Sequence, residues 1–328
     1  MPYSLPRRAL LGTTLALPML ARPALAQNSF PTRPLKLVVP FPPGGSTDVI
    51  GRIIAAALQE PLGQTVVVDN RPGASGIIGS SAVARSPADG YTLLFSNVAS
   101  QGVMPGLAPN RVDYNLLDDF THIGMIGVYW AVLLVNPGFP VKDLSGFIAE
   151  AKRSPGVIDF ATSGIGSTPH LIGEMLKLET GIDITHVAYR GSGPALTAVI
   201  ANEVPCMIDS MPSASAHLRS GALRGLAVSS GTRIAAFPDL PTFKEQGFPK
   251  LAVDNWYGIS GPAGMPADAT QRVASALALV LSKPDLQERF RGIGLEAKTM
   301  SGAPFRQFIG DQAKMWAETI HAAGIKPE

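Results

Sequence analysis

The chain has 328 residues, 46% hydrophobic and 16% charged, a length that allows a large core, which we expect to form two domains. Its 27 basic and 25 acidic residues give a formal charge of +2, and no basic stripe of the kind that binds nucleic acid is present. The single cysteine, Cys206, excludes an internal disulfide, and its apolar neighbours at 204–208 favour a buried side chain over a nucleophile.

Residues 1–26 have the layout of a secretory signal peptide. Arg7 and Arg8 precede an apolar run, and residues 24–26 form a small-x-small cleavage site, so we expect the mature chain to start at Gln27. The run is shorter than the roughly 20 residues that cross a bilayer, which disfavours the alternative of a retained anchor. The arginine pair suggests twin-arginine export, with Sec export as the alternative. Residues 1–26 contain three arginines and no acidic residue, so the mature chain without them carries a formal charge of −1.

The rest of the chain alternates apolar runs with amphipathic stretches. Strands are expected at 35–39, 65–68, 91–95, 131–135, 158–161, 186–189, 207–209 and 225–228. Helices are expected at 49–58, 77–85, 144–152, 169–178, 194–200, 267–281 and 304–322. This alternation predicts an α/β protein with parallel sheets covered by helices on both faces. Because the pattern occurs twice, it also predicts a two-lobed molecule.

A glycine-rich loop at residues 40–48 connects the first strand to the first helix. Ser46, Thr47 or Asp48 can cap that helix, and its first N–H groups have no partner within the helix. Gly44 and Gly45 would let an anion approach this helix start closely. The loop lacks the lysine of a phosphate-binding P-loop, so a carboxylate suits it better than a phosphate. The alternative interpretation is a plain capped turn.

A second loop, residues 162–168, has the equivalent position in the second half. It contains Gly164 and Gly166 and leads into a helix with Pro169 in its first turn. Ligands of open α/β sheets bind at the carboxyl ends of the strands, so we expect the two loops to face each other across a cleft.

A few other side chains are candidate contacts at this cleft. Arg190 follows a strand and could pair with a carboxylate, although a surface arginine is an equal alternative. Asp209 could accept a hydrogen bond from a ligand or serve as a structural acid. For His170 we favour packing or bracing of the loop over ligand contact. Trp256 and Tyr257 could line the cleft or fill the junction between the lobes.

Enzymatic constellations are not found in the sequence. It has no Gly-x-Ser-x-Gly elbow, and its five histidines are scattered without metal-ligand spacing. Cys206 has no activating pattern nearby. No set of residues therefore points to catalysis.

Several motifs, in order from about Phe30 almost to the C-terminus, resemble the Bug family, the substrate-binding receptors of tripartite tricarboxylate transporters. The matching segments are 31–34, 39–48, 68–74, 88–93, 118–120, 163–167 with 170–171, 186–191, 226–228, 238–242, 256–258 and 261–264. The sequence departs from the family pattern at Ala188, where proline is expected, and at 97–100, where a glycine-containing loop is common. The second departure affects expectations about the distal end of the pocket.

The resemblance implies a periplasmic Venus-flytrap protein with two α/β lobes joined by two crossing segments. Domain I would comprise residues 27–127 and 254–328, and domain II residues 128–253. Ligand-binding residues carried over from the family's loops are Phe41, Gly44, Gly45, Ser46, Thr47, Asp48, Ser163, Gly166 and Ser167. The resemblance also implies ligand contacts at strand ends, where family members differ with their ligand: Ser96, Asn97, Tyr189, Arg190 and Asp209. No cofactor, metal or nucleic acid is expected.

The expected function is capture of a mono- or dicarboxylate, aromatic and amino-acid ligands included. The ligand would be delivered to the permease subunits of a tripartite transporter or to a sensor kinase, and the receptor would be a monomer. The alternative is an exported hydrolase or isomerase that acts on a carboxylate in the same cleft.

Overall fold

The computed structural model describes residues 30–326, together with Met1 and Tyr3. The predicted signal peptide, apart from those two residues, lies outside the described residues. No helix within the described ranges is long and apolar enough to cross a membrane.

The described residues form two mixed sheets and the helices that cover them. The strands are β1 (Leu35–Val39), β2 (Val66–Asn70), β3 (Thr92–Asn97), β4 (Phe120–Tyr129), β5 (Ala131–Val135), β6 (Asp159–Thr162), β7 (Thr185–Ala188), β8 (Cys206–Ser210), β9 (Arg224–Val228), β10 (Asn255–Pro262) and β11 (Leu295–Ala297). The α-helices are α1 (Ser46–Leu62), α2 (Ile77–Ala84), α3 (Met104–Leu107), α4 (Leu144–Arg153), α5 (Thr168–Thr180), α6 (Ser192–Ile200), α7 (Met211–Ser220), α8 (Ala267–Leu281), α9 (Pro284–Gly292) and α10 (Ala303–Ala322). Short 3-10 turns lie at Ala74–Gly76, Pro109–Arg111 and Pro249–Leu251, and Ala99–Val103 forms a π-helical turn.

The strand order corrects the prediction of parallel sheets. The first sheet has the order β11-β4-β10-β3-β1-β2, and the second has the order β7-β6-β8-β5-β9. β1 is parallel to β2 and β3, whereas β10 is antiparallel to both β3 and β4. In the second sheet, β5 is antiparallel to β8 and β9. The chain enters the second sheet at β5 and returns to the first sheet at β10. Neither entry passes through a helical crossover of the kind that makes neighbouring strands parallel, so both strands are antiparallel to their neighbours.

Two connections join the sheets and run side by side. Trp130 alone separates β4 from β5, and residues 229–254 lead from β9 back to β10. The indole Nε1 of Trp130 donates to Asp254 (2.7 Å), and the Ala131 N–H donates to Ser229 Oγ (3.0 Å). Ser229 Oγ in turn donates to the carbonyl of Val253 (3.1 Å). These bonds tie the two connections to each other at the point where they pass between the sheets.

The inner strands of each sheet are buried on both faces. On β3, Leu93 and Phe95 pack into one hydrophobic cluster, while Leu94 packs into the cluster on the opposite face. On β5, Leu133 and Leu134 divide in the same way between the two clusters of the second sheet. Because successive side chains point to opposite faces of a strand, strands covered on both sides read as continuous apolar runs. Cys206 is buried in this second core, as the sequence indicated.

Candidate ligand-binding site

The first glycine-rich loop leads directly into α1, which starts earlier than the predicted residue 49. Gly45 is the N-cap of α1, with an extended backbone and no side-chain cap. The first N–H groups of α1 therefore lack a side-chain acceptor and point out of the helix start. The prediction that Ser46, Thr47 or Asp48 caps the helix is wrong, because all three lie within its first turn.

Asp48 braces this loop from behind. Its carboxylate accepts hydrogen bonds from the Gly44 N–H (3.0 Å) and Asn70 Nδ2 (2.9 Å), and it pairs with Arg52 (2.9 Å). Burial alone would raise the pKa of Asp48, but the bonds from Arg52, Gly44 and Asn70 outweigh burial and hold the pKa below its usual value. Asn70 Nδ2 also donates to the carbonyl of Phe41 (3.1 Å), which fixes the other end of the loop.

The second loop is held by its own hydroxyl and imidazole groups. Ser167 is the N-cap of α5, and its hydroxyl donates to the carbonyl of Gly164 (2.6 Å). The Gly166 N–H donates to His170 Nδ1 (3.3 Å), and the His170 ring stacks on His186 at 4.2 Å. His186 Nε2 bonds the hydroxyl of Thr162 (2.7 Å) at the end of β6. These contacts agree with the bracing role that we favoured for His170.

Two further helix starts lie at the same place. Gly191 is the N-cap of α6 and Ser210 is the N-cap of α7, and neither makes a side-chain capping bond. The buried carboxylate of Asp209 accepts hydrogen bonds from Ser192 Oγ (2.7 Å) and Ser213 Oγ (2.6 Å). Asp209 thus links the first turns of α6 and α7, and burial raises its pKa. The sequence did not predict that these two helix starts lie side by side.

A small cavity of about 30 Å³ lies where the four helix starts meet. It is lined by Phe41, Pro42, Gly45, Ser46, Thr47, Asn97, Ala99, Tyr129, Ser163, Ser167, Thr168, Pro169, Gly191, Ser192 and Ser210. Seven of these were predicted as ligand-binding residues, namely Phe41, Gly45, Ser46, Thr47, Asn97, Ser163 and Ser167. No residue of this lining carries a charge, whereas hydroxyl groups are abundant.

A large cavity of about 580 Å³ adjoins the small one, and the two share Phe41, Pro42, Ser163 and Gly191. Its other lining residues are Pro72, Gly73, Ala74, Ser75, Gly76, Met104, Leu107, Arg111, Gly164, Ile165, Ala188, Tyr189 and Arg190. The predicted residues Tyr189 and Arg190 therefore lie at the large cavity rather than among the helix starts.

Two stacked tyrosines lie at the small cavity, and one of them, Tyr129, lines it. The rings of Tyr129 and Tyr257 lie 4.2 Å apart and 13° from parallel, and both are buried. The Tyr257 hydroxyl donates to Ser46 Oγ (2.8 Å) in the first turn of α1. Tyr129 lines the small cavity together with Thr168 and Ser210 at the starts of α5 and α7. Burial raises the pKa of Tyr257 to about 12, so both phenols stay protonated and can donate.

Asn97 offers a donor to the small cavity. Its side chain is 1% exposed, and Oδ1 accepts from the Ser100 N–H (3.1 Å). Nδ2 has no partner among the described residues. Since buried polar groups are almost always hydrogen-bonded, this amide is available to a ligand.

Five predicted residues line neither cavity. They are Gly44, Asp48, Ser96, Gly166 and Asp209. Ser96 is buried between β3 and β10, where its hydroxyl donates to Ser260 Oγ (2.8 Å). Trp256 is also fully buried and packs edge-on against Phe305. Tyr129, Thr168, Ser192 and Ser210 also line the small cavity and were not among the predicted residues. The last three lie at the starts of α5, α6 and α7, so inspection of the residues around each helix start could have found them.

Comparison with known proteins identifies the family. The family described as the tripartite tricarboxylate transporter family receptor matches residues 50–325. BugT from Bordetella pertussis is 37% identical over 319 residues, which cover 97% of this chain and 97% of BugT. The chain belongs to this receptor family. The family resemblance deduced from the sequence is therefore confirmed.

Solved structures confirm the two-lobed fold of the receptor. The R. palustris protein Rpa4515, solved with adipate, has a TM-score of 0.88 and 34% identity, covering 91% of this chain and 100% of Rpa4515. MatC from Rhodopseudomonas palustris, solved with bound malate, has a TM-score of 0.83 and 30% identity, covering 89% of this chain and 100% of MatC.

Proposed function

We propose that this receptor captures a small carboxylate between its lobes and presents it to the permease subunits of a tripartite transporter or to a sensor kinase. The observation that carries the proposal is the convergence of four helix starts on one cavity with an uncharged lining. An anion at a helix start gains about 0.3–1 kcal/mol when exposed and up to ~2 kcal/mol when partly buried. The adipate in Rpa4515 and the malate in MatC support this ligand class.

In this proposal the carboxylate at the helix starts is held by N–H and O–H donors, and the one charged side chain among the proposed contacts, Arg190, lies at the large cavity. The residues that we propose to contact ligand are Phe41, Gly45, Ser46, Thr47, Asn97, Ser163 and Ser167 at the small cavity, with Tyr189 and Arg190 at the large one. Of the other predicted residues, Gly44 with Asp48 and Gly166 with His170 brace the two loops, Asp209 links the starts of α6 and α7, and Ser96 bonds Ser260 within the first sheet. A ligand oxygen would also satisfy the buried Nδ2 of Asn97.

The division into lobes follows the two sheets, except that Val128 and Tyr129 at the end of β4 still pair in the first sheet. We assign residues 27–127 and 254–328 to domain I and residues 128–253 to domain II, with the paired connections as the hinge. The hydrogen bonds between Trp130 and Asp254 and around Ser229 support this assignment. A ligand that contacts both lobes prefers the closed form, and this preference alone sets how far it shifts the open–closed balance.

The proposed site of action is the periplasm. The family assignment and the signal-peptide pattern of residues 1–26 support export. The pair Arg7-Arg8 favours the twin-arginine route over Sec. We propose that the exported receptor acts as a monomer.

The rival proposal, an exported enzyme, predicts turnover. We expect the receptor to return its ligand unchanged, so mass spectrometry of a bound carboxylate after prolonged incubation should detect only the starting compound. Accumulation of a product that depends on protein concentration would establish the enzyme instead.

Ser46→Pro tests the grip directly. Proline is tolerated at the first residue of a helix but removes the N–H and the hydroxyl that Ser46 offers to the small cavity. We expect carboxylates to raise the melting temperature of the wild type and to leave that of Ser46→Pro unchanged. Ala267→Pro is the matched control, because Ala267 is the exposed first residue of α8 and lines neither cavity. If Ser46→Pro keeps the full ligand-induced shift, the carboxylate binds elsewhere.

A further inference from the structure

The two cavities differ in what they can hold. The small cavity, at about 30 Å³, has room for a carboxylate head and little else. The large cavity, at about 580 Å³, lies within the roughly 300–1,000 Å³ typical of ligand pockets. A cavity of about 150 Å³ suffices for benzene, so the body of a ligand could be considerably larger than one ring. Because the cavities share lining residues, one molecule can occupy both.

The walls of the large cavity are mainly apolar on both sides of the cleft. Met104 and Leu107 of α3 face it from the side of the first sheet, with Ala74 nearby. Ile165 and Ala188 face it from the side of the second sheet. The hydroxyl of Ser75 donates to the carbonyl of Ile165, which joins the two sides. Such walls favour a hydrocarbon middle, because apolar surface gains about 25 cal/mol per Å² on leaving water.

The charged side chains that line the large cavity are all positive. It contains Arg111 and Arg190 and no aspartate or glutamate. Arg190 follows β7, its side chain is exposed, and no hydrogen bond or ion pair holds its guanidinium among the described residues. A guanidinium in this state can take a carboxylate in a bidentate, charge-assisted pair.

From these observations we infer that the preferred ligand is an elongated dicarboxylate with an apolar middle. One carboxylate lies at the helix starts, the hydrocarbon middle fills the large cavity, and the second carboxylate pairs with Arg190. This inference rests on the proposed function, and it adds the length and the second charge of the ligand to it.

Calorimetric titration with a matched set of acids tests length and charge separately. Suberate and terephthalate are long diacids, octanoate and benzoate are their monoacid counterparts, and succinate is a short diacid. We expect at least one long diacid to bind about ten-fold or more tightly than both its monoacid counterpart and succinate, a difference of roughly 1.4 kcal/mol or more. Arg190→Gln should remove the advantage of that diacid over its monoacid. Arg219→Gln, an exposed arginine of α7 outside both cavities, is the control that should retain it.

A second variant tests the apolar middle without touching a charge. Ala188→Trp fills part of the large cavity from an exposed position at the end of β7, so it should weaken the long diacids more than succinate. Succinate binding as tightly as both long diacids, or a diacid advantage that survives Arg190→Gln, overturns the inference while the proposed function stands. Binding of none of the five acids overturns both.

Discussion

At the scale of single residues, Tyr257 of β10 links the first sheet to the start of α1. Its buried hydroxyl donates a 2.8 Å hydrogen bond to Ser46 Oγ and so orients that side chain, although the two residues are 211 positions apart in the chain. We expect Tyr257→Phe to lower the free energy of unfolding by about 1 kcal/mol, the net value of one hydrogen bond. We also expect carboxylate affinity to fall several-fold, because the Ser46 hydroxyl is no longer held in place. Calorimetry on the variant measures the affinity.

The matched control for that variant is Tyr91→Phe. The Tyr91 hydroxyl accepts from the Thr32 N–H (3.0 Å) at the surface, far from either cavity. This variant should lose some stability but no affinity. Equal affinity losses in both variants would mean that the Tyr257 effect is a general loss of stability rather than loss of orientation at the site.

His186 makes the second loop sensitive to acid. Burial, with smaller contributions from His170 and Lys177, lowers the pKa of His186 from 6.5 to about 3. A base with a lowered folded pKa contributes stability that is present above pH 6.5 and is lost as the pH falls towards 3. We therefore expect the free energy of unfolding to decline across this window and to decline less in His186→Gln. Denaturant titrations at a series of pH values compare the two, and parallel curves would contradict this role.

The sequence indicates which residues lie at the small cavity where position along one helix start decides this, while their contact with ligand stays a prediction. Gly45, Ser46 and Thr47 reach the small cavity because the first turn of a helix points its N–H groups outwards. The sequence does not indicate that Asp48 and Asp209 line neither cavity and bond distant partners such as Asn70 and Ser192. Those partners depend on the fold, and no local spacing reveals them.

At the scale of elements, the second loop and α3 meet across the cleft. Gly166 has φ +74°, and a Cβ there would overlap the sulfur of Met104 from the other side. Gly166→Ala should therefore penalise the closed form and lower carboxylate affinity about ten-fold, beyond its effect on stability. Gly221→Ala at the end of α7 is the control, because it has a similar φ of +73° and open space around it. We expect it to cost about 1 kcal/mol of backbone strain with unchanged affinity.

Titration calorimetry of both glycine variants separates the two effects. If Gly221→Ala weakens binding as much as Gly166→Ala, the loss reflects backbone strain and not a clash on closure.

Element prediction recovered the strands and helices of the βαβ segments to within a few residues. It missed β4, β10 and β11, and the helices α3, α7 and α9. β4 contains two glycines, which disfavour a strand on intrinsic propensity. One of them, Gly127, is required by packing, because a Cβ there would overlap the backbone of Glu296 on β11. Contacts between distant strands thus override the local signal.

At the scale of the whole molecule, the two sheets enclose the site. The Gly45 region of α1 approaches Ser192 of α6, and Ser75 bonds Ile165 from the opposite side. The sequence predicted two lobes from a pattern that occurs twice, and the family resemblance supplied the two crossings. It could not indicate the sizes of the cavities, because these depend on how closely the lobes approach.

The central claim is that the receptor recognises the negative charge of a carboxylate at its helix starts. Calorimetric titration of acids against their carboxamides, such as suberate against suberamide and benzoate against benzamide, tests it most directly. The two members of each pair share shape and differ in charge. We expect that at least one acid binds and that its amide binds about a hundred-fold more weakly, a difference of roughly 2.7 kcal/mol. Amides that bind as tightly as their acids, or an uncharged ligand class that binds where no acid does, would contradict it.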